Sequence, residues 1–144
     1  MSKSTAPLEP NTVYHIFTHA VHNNNLFLKA QDYEFFLQRW NELSKPFFTT
    51  YAYCLMPNHL HLCIQTKTYA ELLLEEVPVN FLSRKIGDVL SSYAQSFNRK
   101  IGRIGTLYRS RFKRIPVLDR TYFKNLVCYL HYNLFHHFGD MDFK

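Results

Sequence analysis

Along residues 12–20, "TVYHIFTHA", apolar and polar side chains alternate in a stretch rich in β-branched and aromatic types, which predicts a strand. "HNNNLF" reads as a turn, and from Asp32 to Ser44 the apolar positions Tyr33, Phe36, Leu37, Trp40 and Leu43 recur at helical spacing, with Pro46 beyond the end. "FFTTYAYCL" and "HLHLCIQ" are two further strands, joined through "MPN", whose Pro57 and Asn58 suit an antiparallel hairpin. Residues 66–80 contain a short helical pattern at "YAELLLEE" before Pro78. A long helix follows from about Leu82 to Asn98, with Ile86, Val89, Leu90, Tyr93 and Phe97 on one face, and residues 102–105 are a loop. "FKRIPVL" is a fourth strand, at a sheet edge because of Pro116. A last helix starts behind Asp119 as N-cap and runs to about Tyr132.

The predicted order is therefore βαββαβ with an added C-terminal helix. This is the α+β, ferredoxin-like arrangement of an antiparallel sheet with two helices on one face, and it puts the first and third strands at the centre. Residues 1–11, with Pro7 and Pro10, read as a flexible arm, and residues 12–144 as one domain. Apolar stretches fall far short of a spanning length and no signal-type segment opens the chain, so a soluble, cytoplasmic protein without membrane contact is expected. Cys54, Cys63 and Cys128 form no close pair and are expected as buried thiols.

Charge changes this picture. The net +6 conceals a block at residues 84–124 holding eleven Lys/Arg against only Asp88 and Asp119. Tyr93, Phe97, Tyr108 and Phe112 are interleaved with it, which suits a polyphosphate partner whose unpaired bases can stack. A solvated basic face is the alternative. Arg84, Lys85, Arg99, Lys100, Arg103, Arg109, Arg111, Lys113 and Arg114 are the candidate DNA-phosphate contacts.

Strand alternation places His59, His61, Cys63 and Gln65 on one sheet face and Leu60, Leu62 and Ile64 on the other. Two imidazoles at this spacing lie about 7 Å apart at Cα, close enough for both to reach one divalent cation, or they are simply two half-exposed rings. On the last helix, "TYFKNLVCYLHYN", the stripe Phe123, Leu126, Val127 and Leu130 faces the core. Tyr129 and Asn133 lie about 40° apart on its flank, whereas His131 lies about 200° round from Tyr129 and faces away. A phenol beside an amide oxygen can supply a nucleophile and a metal ligand, or Tyr129 is one more amphipathic position and Asn133 a helix cap.

"VYHIFTHAVHNNNLF", "YAYCLMPNHLHLCIQ", "SSYAQSFNRKIGRIGTLYRSRFKRIPV" and "YLHYN" stand in an order and spacing that resembles the single-tyrosine HUH transposases, including the REP-associated tyrosine transposases, over residues 12–133. "LMPNHLHL" is the most specific of these segments. The resemblance implies cleavage and rejoining of single-stranded DNA through a 5′-phosphotyrosine intermediate. It implies His59 and His61 as paired metal ligands, Asn133 as the third, Tyr129 as nucleophile, and Mg²⁺ or Mn²⁺ as the ion. His15, on the adjacent strand, is a candidate to support the ligands from behind. Single-stranded or hairpin DNA is the implied partner, the protein would be nucleoid-associated when active, and a homodimer is allowed. The chain departs from the family pattern at "NLFHHFGD" after Asn133, where a proline and a small basic turn are usual, and at "HAVHNNN", where relatives carry arginine and glycine. Two rival functions are a non-catalytic, repressor-like DNA-binding protein and a metal-dependent phosphoesterase that activates water; neither needs His59, His61 and Tyr129 together.

Overall fold

A computed structural model describes the backbone of residues 5–138 and the side chains of residues 5–132. Its elements are β1 (Val13–His19), α1 (Ala30–Ser44), β2 (Phe48–Met56), β3 (His59–Thr66), α2 (Tyr69–Leu72), α3 (Phe81–Ile101), β4 (Lys113–Pro116) and α4 (Arg120–Phe138). The strands form one antiparallel sheet in the order β2-β3-β1-β4, with β1 and β3 central and the Pro116-bearing β4 at an edge. This is the ferredoxin-like α+β arrangement expected from the hydrophobic pattern.

The main core lies between one sheet face and the pair α1/α3. Tyr14 and Ile16 of β1 and Leu60, Leu62 and Ile64 of β3 meet Phe36 and Trp40 of α1 and Ile86, Val89, Leu90, Tyr93 and Phe97 of α3. On α1 the buried positions also include Asp32, whose carboxylate accepts the Leu28 and Lys29 N–H groups and pairs with Lys100 of α3. That carboxylate ties the start of α1 to the end of α3. Leu43, expected on the apolar face, is partly exposed, and Ser44 is buried in its place.

The other sheet face is half covered. Leu126 and Leu130 of α4 close a second, smaller core over Ala52, Cys54, Met56, Cys63 and Val117, with Phe123 and Val127 packed against it. Asp119 caps α4 as expected, accepting the Tyr122 N–H at 2.8 Å. The helix continues past Tyr132 to Phe138, so Asn133 is not its cap. Cys128 points outward and is exposed, against the expectation of three buried thiols, because Leu126 and Leu130 take the inward positions of that turn.

Two expectations for the termini of elements change. Residues 5–11 do not hang loose. Leu8 is buried in the main core, its N–H meets Ser83 Oγ, the Glu9 N–H donates to the Tyr14 hydroxyl, and the Ala6 carbonyl accepts from Arg114. The helix at "YAELLLEE" is a single turn, closed by Leu73 in the left-handed region at φ 58°. Among the described residues no helix is long and apolar enough to cross a membrane.

Candidate metal and nucleic-acid site

The register of the central strands assembles four histidines on one face. His19 lies opposite His59, Phe17 opposite His61, and His15 opposite Cys63. The Pro57-Asn58 turn that starts β3 is held by the Leu26 and Phe27 N–H groups, which donate to the Pro57 carbonyl, and by the Ala20 N–H, which donates to the Asn58 carbonyl.

Each of the two predicted ligand imidazoles is fixed through Nδ1. His61 Nδ1 lies 2.9 Å from His15 Nε2, and its ring stacks on Phe17 at 5.6 Å between centroids. His59 Nδ1 lies 2.8 Å from Asn58 Oδ1, and its ring stacks on His19 at 5.1 Å. The amide oxygen can only accept, so His59 carries its proton on Nδ1 and its lone pair on Nε2. The same arrangement for His61, donating from Nδ1 to His15, gives both rings an Nε2 lone pair, the pattern by which metal-binding histidines are oriented from behind. The two rings stand perpendicular with centroids 5.2 Å apart.

Burial keeps this face uncharged. It pushes His15 down to about 4, and it pushes His61 down to about 3 with help from the neighbouring His15, His59 and His19. His19 is lowered by burial and by the Arg109 guanidinium. At neutral pH these three imidazoles are neutral, as a metal ligand and its supporting acceptor must be.

As to donor number, no three His, Cys, Asp or Glu side chains among the described residues are grouped so as to hold a metal ion. The described donors are thus the two imidazoles, and the side chain of Asn133, the predicted third ligand, lies outside the described residues. A two-nitrogen donor set suits a borderline ion such as Mn²⁺ better than Mg²⁺, which prefers oxygen.

Tyr129 is 52% exposed on α4, and among the described residues no hydrogen bond or ring contact joins it to either ligand imidazole. Its direction follows from its neighbour. His131 lines a cavity with Tyr51 and Tyr53 at the outer edge of β2. Tyr129, about 200° round the helix from it, leaves α4 on the opposite flank.

The nine predicted phosphate contacts divide. Arg109 follows β1's partner bridge, its N–H bonded to the His19 carbonyl, and Lys113 sits across from Phe17, so both border the histidine face. Arg84, Arg99 and Arg111 are exposed. Lys85 lies over the rings of Phe47 and Phe81. Arg103 spends its guanidinium on the Gly105 and Thr106 carbonyls, Lys100 pairs with Asp32, and Arg114 is buried over Phe112. Tyr93 and Phe97, expected as stacking faces for bases, are buried because they belong to the apolar side of α3, and Phe112, expected likewise, is buried in the same core from the segment before β4. Conversely, the sequence pattern assigned no role to His19 and Phe17, and to Asn58 only a place in the turn. The alternation that pairs His59 with His61 applies equally to His15, Phe17 and His19, and would have found two of them.

No protein-family model matches the chain, and no curated protein matches it. Among solved structures, the chain is similar to a REP-associated tyrosine transposase bound to a REP hairpin, with a TM-score of 0.67 and 16% sequence identity, covering 95% of this chain and 74% of that one. The two share a fold.

Proposed function

We propose that the protein is a transposase-like single-stranded DNA endonuclease and strand transferase of the single-tyrosine HUH type. The observation that carries this reading is the pair His59/His61, each held through Nδ1 and both presenting Nε2 on the same sheet face. It is supported by a fold shared with a tyrosine transposase and by the "LMPNHLHL" and "YLHYN" segments falling on the sheet face and on the helix packed over it.

His59 and His61 would hold a divalent cation, with Asn133 as the further ligand, and such an ion supplies Lewis acidity to a phosphate oxygen. His15 fixes the tautomer and aim of His61, and Asn58 does the same for His59. Arg109 and Lys113 hold the strand's phosphates beside the histidines. The Tyr129 oxygen attacks the scissile phosphorus in line. The new bond joins the phenol oxygen to phosphorus, the bond from phosphorus to the 3′ oxygen breaks, and the phenol proton ends on the leaving 3′-hydroxyl. The 5′-phosphotyrosine keeps the ester available for rejoining to another 3′-hydroxyl instead of surrendering it to water. The REP hairpin on the structural neighbour makes a hairpin beside a single-stranded site the natural substrate to try first.

The test is a denaturing gel of purified protein with Mn²⁺ and single-stranded DNA from the flanks of its own coding region. Wild type should give a covalent protein–DNA band, and Tyr129→Phe should remove it while binding the same DNA within about twofold. Cleavage without an adduct, retained by Tyr129→Phe, would select the phosphoesterase instead. Binding of cognate DNA with no reaction at all would select the repressor.

A further inference from the structure

The face of the sheet that carries α1 and α3 has a second concentration of cationic and hydroxyl groups, away from the histidines. A cavity of about 550 Å³ opens between α3 and the segment leading into β4. Its α3 wall is formed by Ser83, Arg84, Gly87, Leu90 and Ser91, positions spaced to share one side of the helix, with the N-cap Asn80 at its end. The opposite wall brings Arg111 and Arg114, and no lining residue is acidic.

Two features distinguish this cavity from a gap in the packing. Arg114 is only 5% exposed, and although its terminal nitrogens donate to Ala6, Ser83 and Phe112, its Nε has no partner. A buried guanidinium with an unspent donor is costly, and burial and the nearby Arg111 both disfavour its charge. A bound anion would offset both costs. The second feature is Gly87, in the middle of a 21-residue helix, where glycine costs about 1 kcal/mol against alanine. Nothing lies within 4 Å of a Cβ placed there, so packing does not demand the glycine. The bare backbone instead deepens the cavity floor.

We propose that this cavity is a phosphate subsite for a nucleotide unit, with Arg84, Arg111 and Arg114 as the cationic walls and Ser83 and Ser91 as hydroxyl donors. Its volume lies in the range of small-ligand sites, so it takes one nucleotide and not a duplex. The phosphate can arrive on a free nucleotide or on a strand, and the two sources are separable.

The full chain in EDTA is titrated with 5′-thymidine monophosphate, with thymidine, and with a labelled oligothymidylate of about 12 nucleotides, a length within single-strand site sizes. Wild type should bind the monophosphate and not thymidine, or bind the strand, or both. Gly87→Leu fills the cavity and gives α3 a better helix former, so it should melt no lower than wild type while weakening phosphate-bearing probes at least tenfold. Arg84→Gln should weaken them severalfold, and Arg84→Lys should recover part of the loss. A loss confined to the strand identifies a strand phosphate, and a loss confined to the monophosphate identifies a free nucleotide. If Gly87→Leu binds both probes like wild type, or if wild type binds neither, the subsite does not exist. No metal and no adduct enters the measurement, so this failure and a failure of the transesterification proposal can be told apart.

Discussion

The hydrogen bond between His15 and His61 links two neutral rings, and its consequences are testable in the metal-free protein. Both rings ionise in the folded state well below the 6.5 of a free imidazole, at about 4 and about 3. The folded protein therefore refuses protons that the unfolded chain accepts. Stability from this pair is intact above pH 6.5 and declines as pH falls from 6.5 toward 4 and 3, by up to about 1.4 kcal/mol per pH unit for each ring, less for their partial exposure. Denaturant melts at pH 7.5 and 5 should show this decline, and His15→Phe, which keeps a stacked ring but removes one titrating group, should make it shallower. Asp32 cannot mimic the effect, since its lowered carboxylate loses its contribution only below about 3.8. The same substitution removes the acceptor that aims His61, so calorimetry should find Mn²⁺ bound about 10–100-fold more weakly by His15→Phe. An unchanged Mn²⁺ affinity would reduce the bond to a packing contact.

At the level of elements, α4 decides whether Tyr129 can serve the histidine face at all. Its attachment rests on Leu126 and Leu130 below and Asp119 at its start. Asp119→Ala should cost about 1 kcal/mol, and Leu130→Ala about 2–5 kcal/mol, both read from chemical denaturation. If α4 is a positioning device, adduct yield should fall further in Leu130→Ala than DNA affinity does. The strand and helix order was legible in the chain because period-2 and period-3.6 patterns are local: "HLHLCIQ" and the apolar stripe of α3 each state their own geometry. What was illegible is tertiary. Arg114, Arg103 and Lys100 read as phosphate contacts on composition alone, yet each meets a carbonyl or carboxylate brought near by the fold. Residues 5–11 read as an arm because two prolines carry no periodicity, while their anchoring depends on Ser83 and Arg114, far along the chain. His15 was legible as a neighbour of β3, but the 2.9 Å contact with His61 needs the antiparallel register to set it.

For the molecule as a whole, the division of the basic residues predicts how steeply nucleic-acid binding responds to salt. Each phosphate neutralised on a single strand contributes a slope of about −0.7 to the dependence of log K on log salt. If all nine candidate cations met phosphates, the slope would approach −6. Lys100 and Arg103 are committed to Asp32 and to loop carbonyls, and Lys85 to two aromatic rings. That leaves Arg84, Arg99, Arg109, Arg111 and Lys113 at the surface, and a slope of about −3.5 if each meets its own phosphate, or about −3 if Arg84 and Arg111 share with Arg114 the one phosphate of the cavity. Fluorescence anisotropy of Tyr129→Phe with single-stranded DNA in EDTA, across a range of potassium chloride, measures this without turnover. Arg109→Gln and Lys113→Gln should each flatten the slope by about 0.7, whereas Arg103→Gln should leave it unchanged and lower the melting temperature instead. A slope near −6, with Arg103→Gln among the variants that flatten it, would mean that the loop at residues 103–107 opens to let its arginine meet the strand.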